Sequence, residues 1–117
     1  MTLQPPDSSR RPPTEGYVRL KRLWEVHRKD AFPAADTADP RLQEVALYES
    51  WLGSIVEAAL GKGGRLTTSH ATMLEARRAE SSQKLWSAAA ELGEPVRSYV
   101  ARLMTIEDLL GALPRDR

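Results

Sequence analysis

Two histidines, His27 and His70, no cysteine, and scattered carboxylates make up the metal-ligating and acid–base side chains of this 117-residue chain. The lack of cysteine removes thiol nucleophiles, disulfides and thiolate metal sites at once. His27 falls within an apolar stripe, where a hydrogen-bonded core or edge histidine is the expected state. His70 has no second histidine three or four residues away, and neither histidine stands in a Glu-x-x-His pair of the di-iron bundle type. Ser69-His70 does not make a catalytic pair, because adjacent helical residues do not face each other and a serine–histidine couple needs a third group to orient the imidazole. Gly61-Lys62-Gly63-Gly64 lacks the Gly-Lys-Ser/Thr ending of a phosphate loop and follows a helix rather than a strand. No complete catalytic site is expected on this chain alone.

Helices must position whatever these residues do. Leu20, Leu23, Trp24, His27 and Ala31 recur at steps of three and four, which predicts a first helix over 17–30 that stops at Phe32-Pro33. Asp39-Pro40 is an N-cap followed by a proline at the first helical position. It opens a second helix that runs to Leu60 and closes at the glycine cluster. Val45, Tyr48, Trp51, Leu52, Ile55, Val56 and Ala59 cover about half its circumference, the mark of a central helix. A third helix is expected from Thr68 or Ser69 to Gly93, with the seam Leu74, Arg78, Ser81, Leu85, Ala88 and Leu92. Trp86 lies off that seam with Ala79 and Ala90, a small-residue face that suits contact with another chain. Pro95 restarts the chain after Glu94, and Val96, Tyr99, Val100, Leu103, Ile106 and Leu110 form the stripe of a fourth helix ending at Gly111 and Pro114. The expected fold is all-α, about four helices in a small orthogonal or bundle-like array over 15–114. A flexible proline-rich arm, residues 1–14, precedes it.

Charge is nearly balanced, 17 basic against 16 acidic residues, without the basic excess of a nucleic-acid reader. The first helix is the most basic segment. Arg19, Lys21, Arg22, Arg28 and Lys29 stand against Glu15, Glu25 and Asp30, a solvated or partner-binding face rather than a phosphate grip. No apolar run approaches the ~18 residues of a membrane span, and Met1–Thr14 has no apolar core of a secretory signal. A cytoplasmic protein binding neither nucleic acid nor membrane is the expectation.

Leu47-Tyr48-Glu49-Ser50-Trp51-Leu52 is followed by an apolar helix, then by Gly61-Lys62-Gly63-Gly64, Arg65-Leu66-Thr67 and Met73-Leu74-Glu75-Ala76-Arg77. This pattern, over residues 45–78, resembles the helical N-terminal part of nitrile hydratase β subunits. There a Tyr-Glu-x-Trp-Leu helix leads through a glycine turn and Leu-Thr into a Glu-Leu-x-x-Arg helix. The related nitrile hydratase activators share the helical pattern. Leu23-Trp24-Glu25 resembles a Trp-Glu of the same family. The tripeptide Trp51-Leu52-Gly53 also occurs in small secreted helical-hairpin proteins, but there it sits in a turn rather than inside a helix.

The resemblance implies a companion role. Such enzymes hydrate a nitrile to an amide at a Co(III) or Fe(III) centre held by a cysteine cluster on the α subunit, so a cysteine-free chain would bind no metal itself. Tyr48 and Trp51 would line the substrate pocket, with Leu47 in place of the family's first tyrosine. Arg28 would contact the oxidised metal-bound cysteines of the partner, and Trp24 and Trp86 would lie at interfaces. Family β subunits continue into a β-barrel, whereas nothing after residue 80 reads as strands. The chain would then be one piece of a split β subunit, as in heterotrimeric nitrile hydratases and thiocyanate hydrolase, with a cysteine-cluster α subunit and a small barrel subunit as partners. A maturation activator, or an unrelated helical module that dimerises through Trp86, are the alternatives.

Overall fold

The structure, a computed structural model, describes residues 15–30, 32 and 39–116, with side chains excepted at 79–82 and 116. The proline-rich arm, Ala31, the whole 33–38 linker and the Ala79 and Ser81 side chains named above lie outside that description. The fold is all-α. Among the described residues the helices are α1 (Glu15–Lys29), α2 (Pro40–Gly61), α3 (Thr68–Leu92) and α4 (Val96–Gly111).

Each boundary has a local chemical cause. In α1, Glu15 opens the first turn and His27, Arg28 and Lys29 close the last, matching the helix dipole at both ends. The Asp39 carboxylate accepts from the Arg41 backbone N–H at 2.9 Å ahead of Pro40. The Arg41 guanidinium folds back onto it at 2.7 Å, and these bonds hold the Asp39 carboxyl below the usual carboxylate range. α2 ends where Gly64 donates to the Ala59 carbonyl at 2.9 Å, with Gly63 and Gly64 at φ of 72° and 90°. α3 starts at Thr68, as expected, and is capped by the Thr67 hydroxyl, which accepts from the His70 N–H at 3.1 Å. Pro95 offers α4 no side-chain cap, and Glu94 takes over that task. Its carboxylate accepts from the Ser98 N–H at 3.2 Å and the Ser98 hydroxyl at 2.6 Å.

The sequence carries no strand signal after residue 80, yet Arg115–Asp116 forms a two-residue strand, β2, parallel to β1 (Leu66–Thr67). Two residues are too few to leave an alternating pattern. The pair fastens the segment after α4 to the α2–α3 connection, with Leu66 N–H donating to the Pro114 carbonyl at 2.9 Å.

One core receives side chains from every helix. Leu20, Val45, Leu52, Val56, Leu66, Val100, Leu103, Ile106 and Leu110 are wholly excluded from solvent, each contributing about 1.5–3 kcal/mol by burial. The helix most closely packed against both α1 and α3 is α4, not α2. Its buried stripe is flanked on both sides by half-buried Ala101, Arg102, Met104 and Leu109, so neighbours close on it from two directions. Along α3, Leu74, Leu85 and Ala88 of the expected seam are buried and joined by Ala71 and Ala89.

Two glycines set the approach of α1. A Cβ at Gly53 would lie 2.9 Å from the Trp24 ring, so the glycine inside α2 is the seat of that indole. A Cβ at Gly64 would lie 2.5 Å from the Tyr17 ring, in addition to the left-handed φ at that position. No helix among the described residues is long and apolar enough to cross a membrane.

Candidate functional site

Two polar clusters penetrate the core, and they differ in whether their hydrogen bonds close. The first joins α1, α2 and α4. His27, 2% exposed, donates from Nε2 to Glu49 Oε2 at 2.6 Å, while Nδ1 accepts from Arg102 Nε at 2.9 Å. Arginine has only donors, so Nδ1 carries no proton and the ring is the neutral Nε2–H tautomer. Tyr99 donates its hydroxyl to the same Glu49 oxygen, and Arg102 reaches Asp30 at 2.5 Å. Burial, with the Glu49 hydrogen bond and charge second, pushes the Tyr99 hydroxyl pKa up. Around it, His27 stacks on Trp24 at 5.5 Å, and the Arg102 guanidinium lies over Tyr99 at 5.6 Å. Both imidazole nitrogens are engaged. His27 therefore has no free lone pair with which to take a proton from a substrate, and the cluster is a structural tie between helices.

The second cluster joins α2, α3 and α4. The Tyr48 hydroxyl donates to Glu107 Oε1. Burial first, then this bond and the Glu107 charge, raises the Tyr48 pKa. Glu107 is only 5% exposed, inside the apolar stripe of Leu103, Ile106 and Leu110. Its Oε2 has no hydrogen-bond partner among the described residues, with Arg78 Nε standing 3.6 Å away as an ion pair only. Arg78 instead donates to Asp108. Arg77 lays its guanidinium over two rings, 5.7 Å from the Tyr48 centroid and 5.2 Å from that of Trp51, and its Nε is buried without an acceptor. Tyr48 and Trp51 are themselves near-parallel, with centroids 6.3 Å apart.

The residues expected at a site are thus dispersed. Tyr48 and Trp51 come together, but Tyr48, 1% exposed, is a core residue whose hydroxyl is already used within the chain. Leu47 is 65% exposed, since its neighbouring position turns it about 100° away from Tyr48. Arg28 is a surface side chain 3.4 Å from Glu57, and Arg77 occupies the place above the two rings. Trp24 is not free for a partner: it is buried against Gly53 and donates Nε1–H to Glu57 at 2.7 Å. Trp86 is 41% exposed and borders a cavity of about 310 Å³ between α3 and α4, into which Glu107 also faces.

Sequence reasoning missed Glu107, Glu49 and Arg102. A signal existed for Glu107, a carboxylate spaced four after Leu103 and three before Leu110 on the buried face. Among the described residues no three His, Asp or Glu side chains converge as a metal-ligand set. Comparison with known proteins finds no family model, no curated protein and no solved structure that matches it.

Proposed function

We propose that the chain is the non-catalytic, helical β-type subunit of a nitrile-hydratase-like lyase. In this reading it acts in the cytoplasm beside a cysteine-cluster α subunit, which holds Co(III) or Fe(III), and a small β-barrel subunit. What supports the reading is one juxtaposition. The two halves of the resembling pattern, Tyr48-x-x-Trp51 on α2 and Arg77 on α3, meet as a guanidinium over two aromatic rings. An arginine so placed keeps its charge while its planar faces are covered.

Co-expression with such an α and barrel subunit tests this. The expected product is a complex that contains this chain in fixed stoichiometry and hydrates nitriles. Arg77→Lys should lower its activity while leaving assembly intact, because an ammonium cannot reproduce the flat, forked contact. A chain that purifies apart, in a mixture whose activity is the same without it, overturns the proposal. Its presence during maturation but absence from the active enzyme assigns it instead to the activators.

A further inference from the structure

Helices α1 and α4 leave a groove between them that the subunit role does not use. The two run antiparallel, with Arg102 beside Asp30 at one end and Leu109 across from Leu23 toward the other. Leu23, Val26 and Leu109 form an apolar floor, and Arg19 and Arg22 stand along it, around a volume of about 310 Å³. Leu23 and Leu109 are half-buried, whereas Val26 is 52% exposed. Positions 19, 22, 23 and 26 recur at helical spacing, so the groove follows two turns of α1, about 10 Å. Neither arginine makes an ion pair or side-chain hydrogen bond with any described residue. The nearby acids are placed elsewhere. Asp30 is held by Arg102, Glu25 groups with Arg28 and Lys29 outside the groove, and Glu15 stands a turn before it begins. The lining therefore has two arginines and no acid, a net charge of +2.

The geometry points to a docking groove for an acidic, amphipathic helix of a partner protein, lying along α1 and α4. An apolar floor edged by uncommitted arginines takes leucine-like side chains at i, i+4 and i+7, with carboxylates beside them. Charge complementarity sets the sign, because a basic helix would meet Arg19 and Arg22 with nothing in the lining to offset them. A second copy of α1 in a two-fold contact would bring the same arginines against each other. Two arginines are too few for a phosphate track. A lipid surface would touch only the exposed Val18 and Val26, since Leu23 and Leu109 lie at the base of the groove. The aromatics of α1, Tyr17 and Trp24, are seated on Gly64 and Gly53 rather than turned outward to insert. None of Tyr48, Trp51 and Arg77 lines the groove, so this proposal stands or falls apart from the subunit reading.

The probe is a fluorescein-labelled helical peptide of about fifteen residues, with leucines at i, i+4 and i+7 and glutamates beside them. Anisotropy with the intact chain should show saturable binding in the micromolar range, weakened several-fold as salt rises from about 0.05 M to about 0.5 M. A scrambled peptide of the same composition should bind about tenfold more weakly, and one with lysine for glutamate should not bind. Arg19→Glu/Arg22→Glu and Val26→Asp should each weaken binding about tenfold or more. All three side chains are exposed, so helical circular dichroism should stay that of the parent chain. Full affinity in either variant, equal binding of the scrambled peptide, or no saturable binding overturns the proposal. Phosphatidylcholine–phosphatidylserine vesicles should not bind the chain, and capture by them that the peptide cannot displace overturns it in favour of a membrane surface.

Discussion

The clusters around His27 and Glu107 use the same parts, a carboxylate, a tyrosine hydroxyl and an arginine on helix α4 or facing it, to opposite ends. Around His27 the donors and acceptors pair off. Glu49 takes both the imidazole and the Tyr99 hydroxyl, and Arg102 bridges His27 to Asp30. Around Glu107 the pairing stops one bond short on the carboxylate and one short on Arg77. The difference lies in geometry rather than composition. Arg102 comes from the helix that packs most closely on α1, whereas Arg78 sits on the exposed edge of α3 and is drawn outward to Asp108. A closed cluster contributes to stability, whereas an open one carries the cost of polar atoms buried without a hydrogen bond.

Removing the acceptor of the closed cluster should therefore cost most. Glu49→Leu strands the His27 N–H and the Tyr99 hydroxyl together, and urea unfolding should show a loss of about 3 kcal/mol. An unchanged midpoint would break the distinction drawn here.

Alkaline titration comes next, because both tyrosines have raised pKa values in the folded chain. The folded state keeps these protons when the unfolded chain has lost them, so their stabilisation is full below about pH 10 and falls as pH rises beyond it. For Tyr48 the fall is about 1.4 kcal/mol per pH unit, and Tyr99 acts in the same direction. Tyrosinate absorbance from both residues should appear only as the helices melt, and a Tyr48→Phe chain should reach a given fractional loss of its own neutral-pH stability at higher pH.

In the open cluster, the double variant Tyr48→Phe/Glu107→Leu removes donor and acceptor together along with the unmet oxygen. Its stability should stay within about 1 kcal/mol of the parent chain, because two well-packed apolar groups replace a half-satisfied pair. A loss as large as that of Glu49→Leu would show that the two clusters are equally structural. The smallest effects belong to the exposed caps. Asp39 and Glu94 have lowered pKa values, so what they contribute is present above the carboxylate range and lost as pH falls through it. Asp39→Ala and Glu94→Ala should each lower the thermal midpoint slightly at neutral pH, with the difference fading in acid.

What was legible in the sequence follows the range of the interactions. Asp39-Pro40, the 61–64 glycines and Gly93 act within a turn of the boundaries they set, and the helix limits were readable from them. The apolar stripe of α2 likewise marked Tyr48, Leu52 and Ile55 as inward-facing. The partners of His27 were not readable, because Glu49 and Arg102 lie 22 and 75 positions away and only the packing of α1 against both α2 and α4 brings them together. Trp24 stood in the apolar stripe of α1 and was readable as inward-facing, but its seat was not, because Gly53 lies 29 positions further along, on α2. The stripe of α4 was readable but its hub role was not, because a stripe marks one inward face and does not show that neighbours also close on Ala101, Arg102, Met104 and Leu109 at its flanks.

The two close approaches of α1 to glycine also have a meaning across lineages. Trp24 with Gly53, and Tyr17 with Gly64, are lock-and-key pairs in which one member's bulk requires the other's absence of a side chain. Neither position of a pair can drift alone. In any descendant or relative that keeps this helix arrangement, a side chain gained at 53 must be accompanied by a smaller residue at 24. At 64 the left-handed backbone adds a second constraint, so 17 should change before 64 does. The order in which those substitutions accumulate would itself record that α1 has stayed docked.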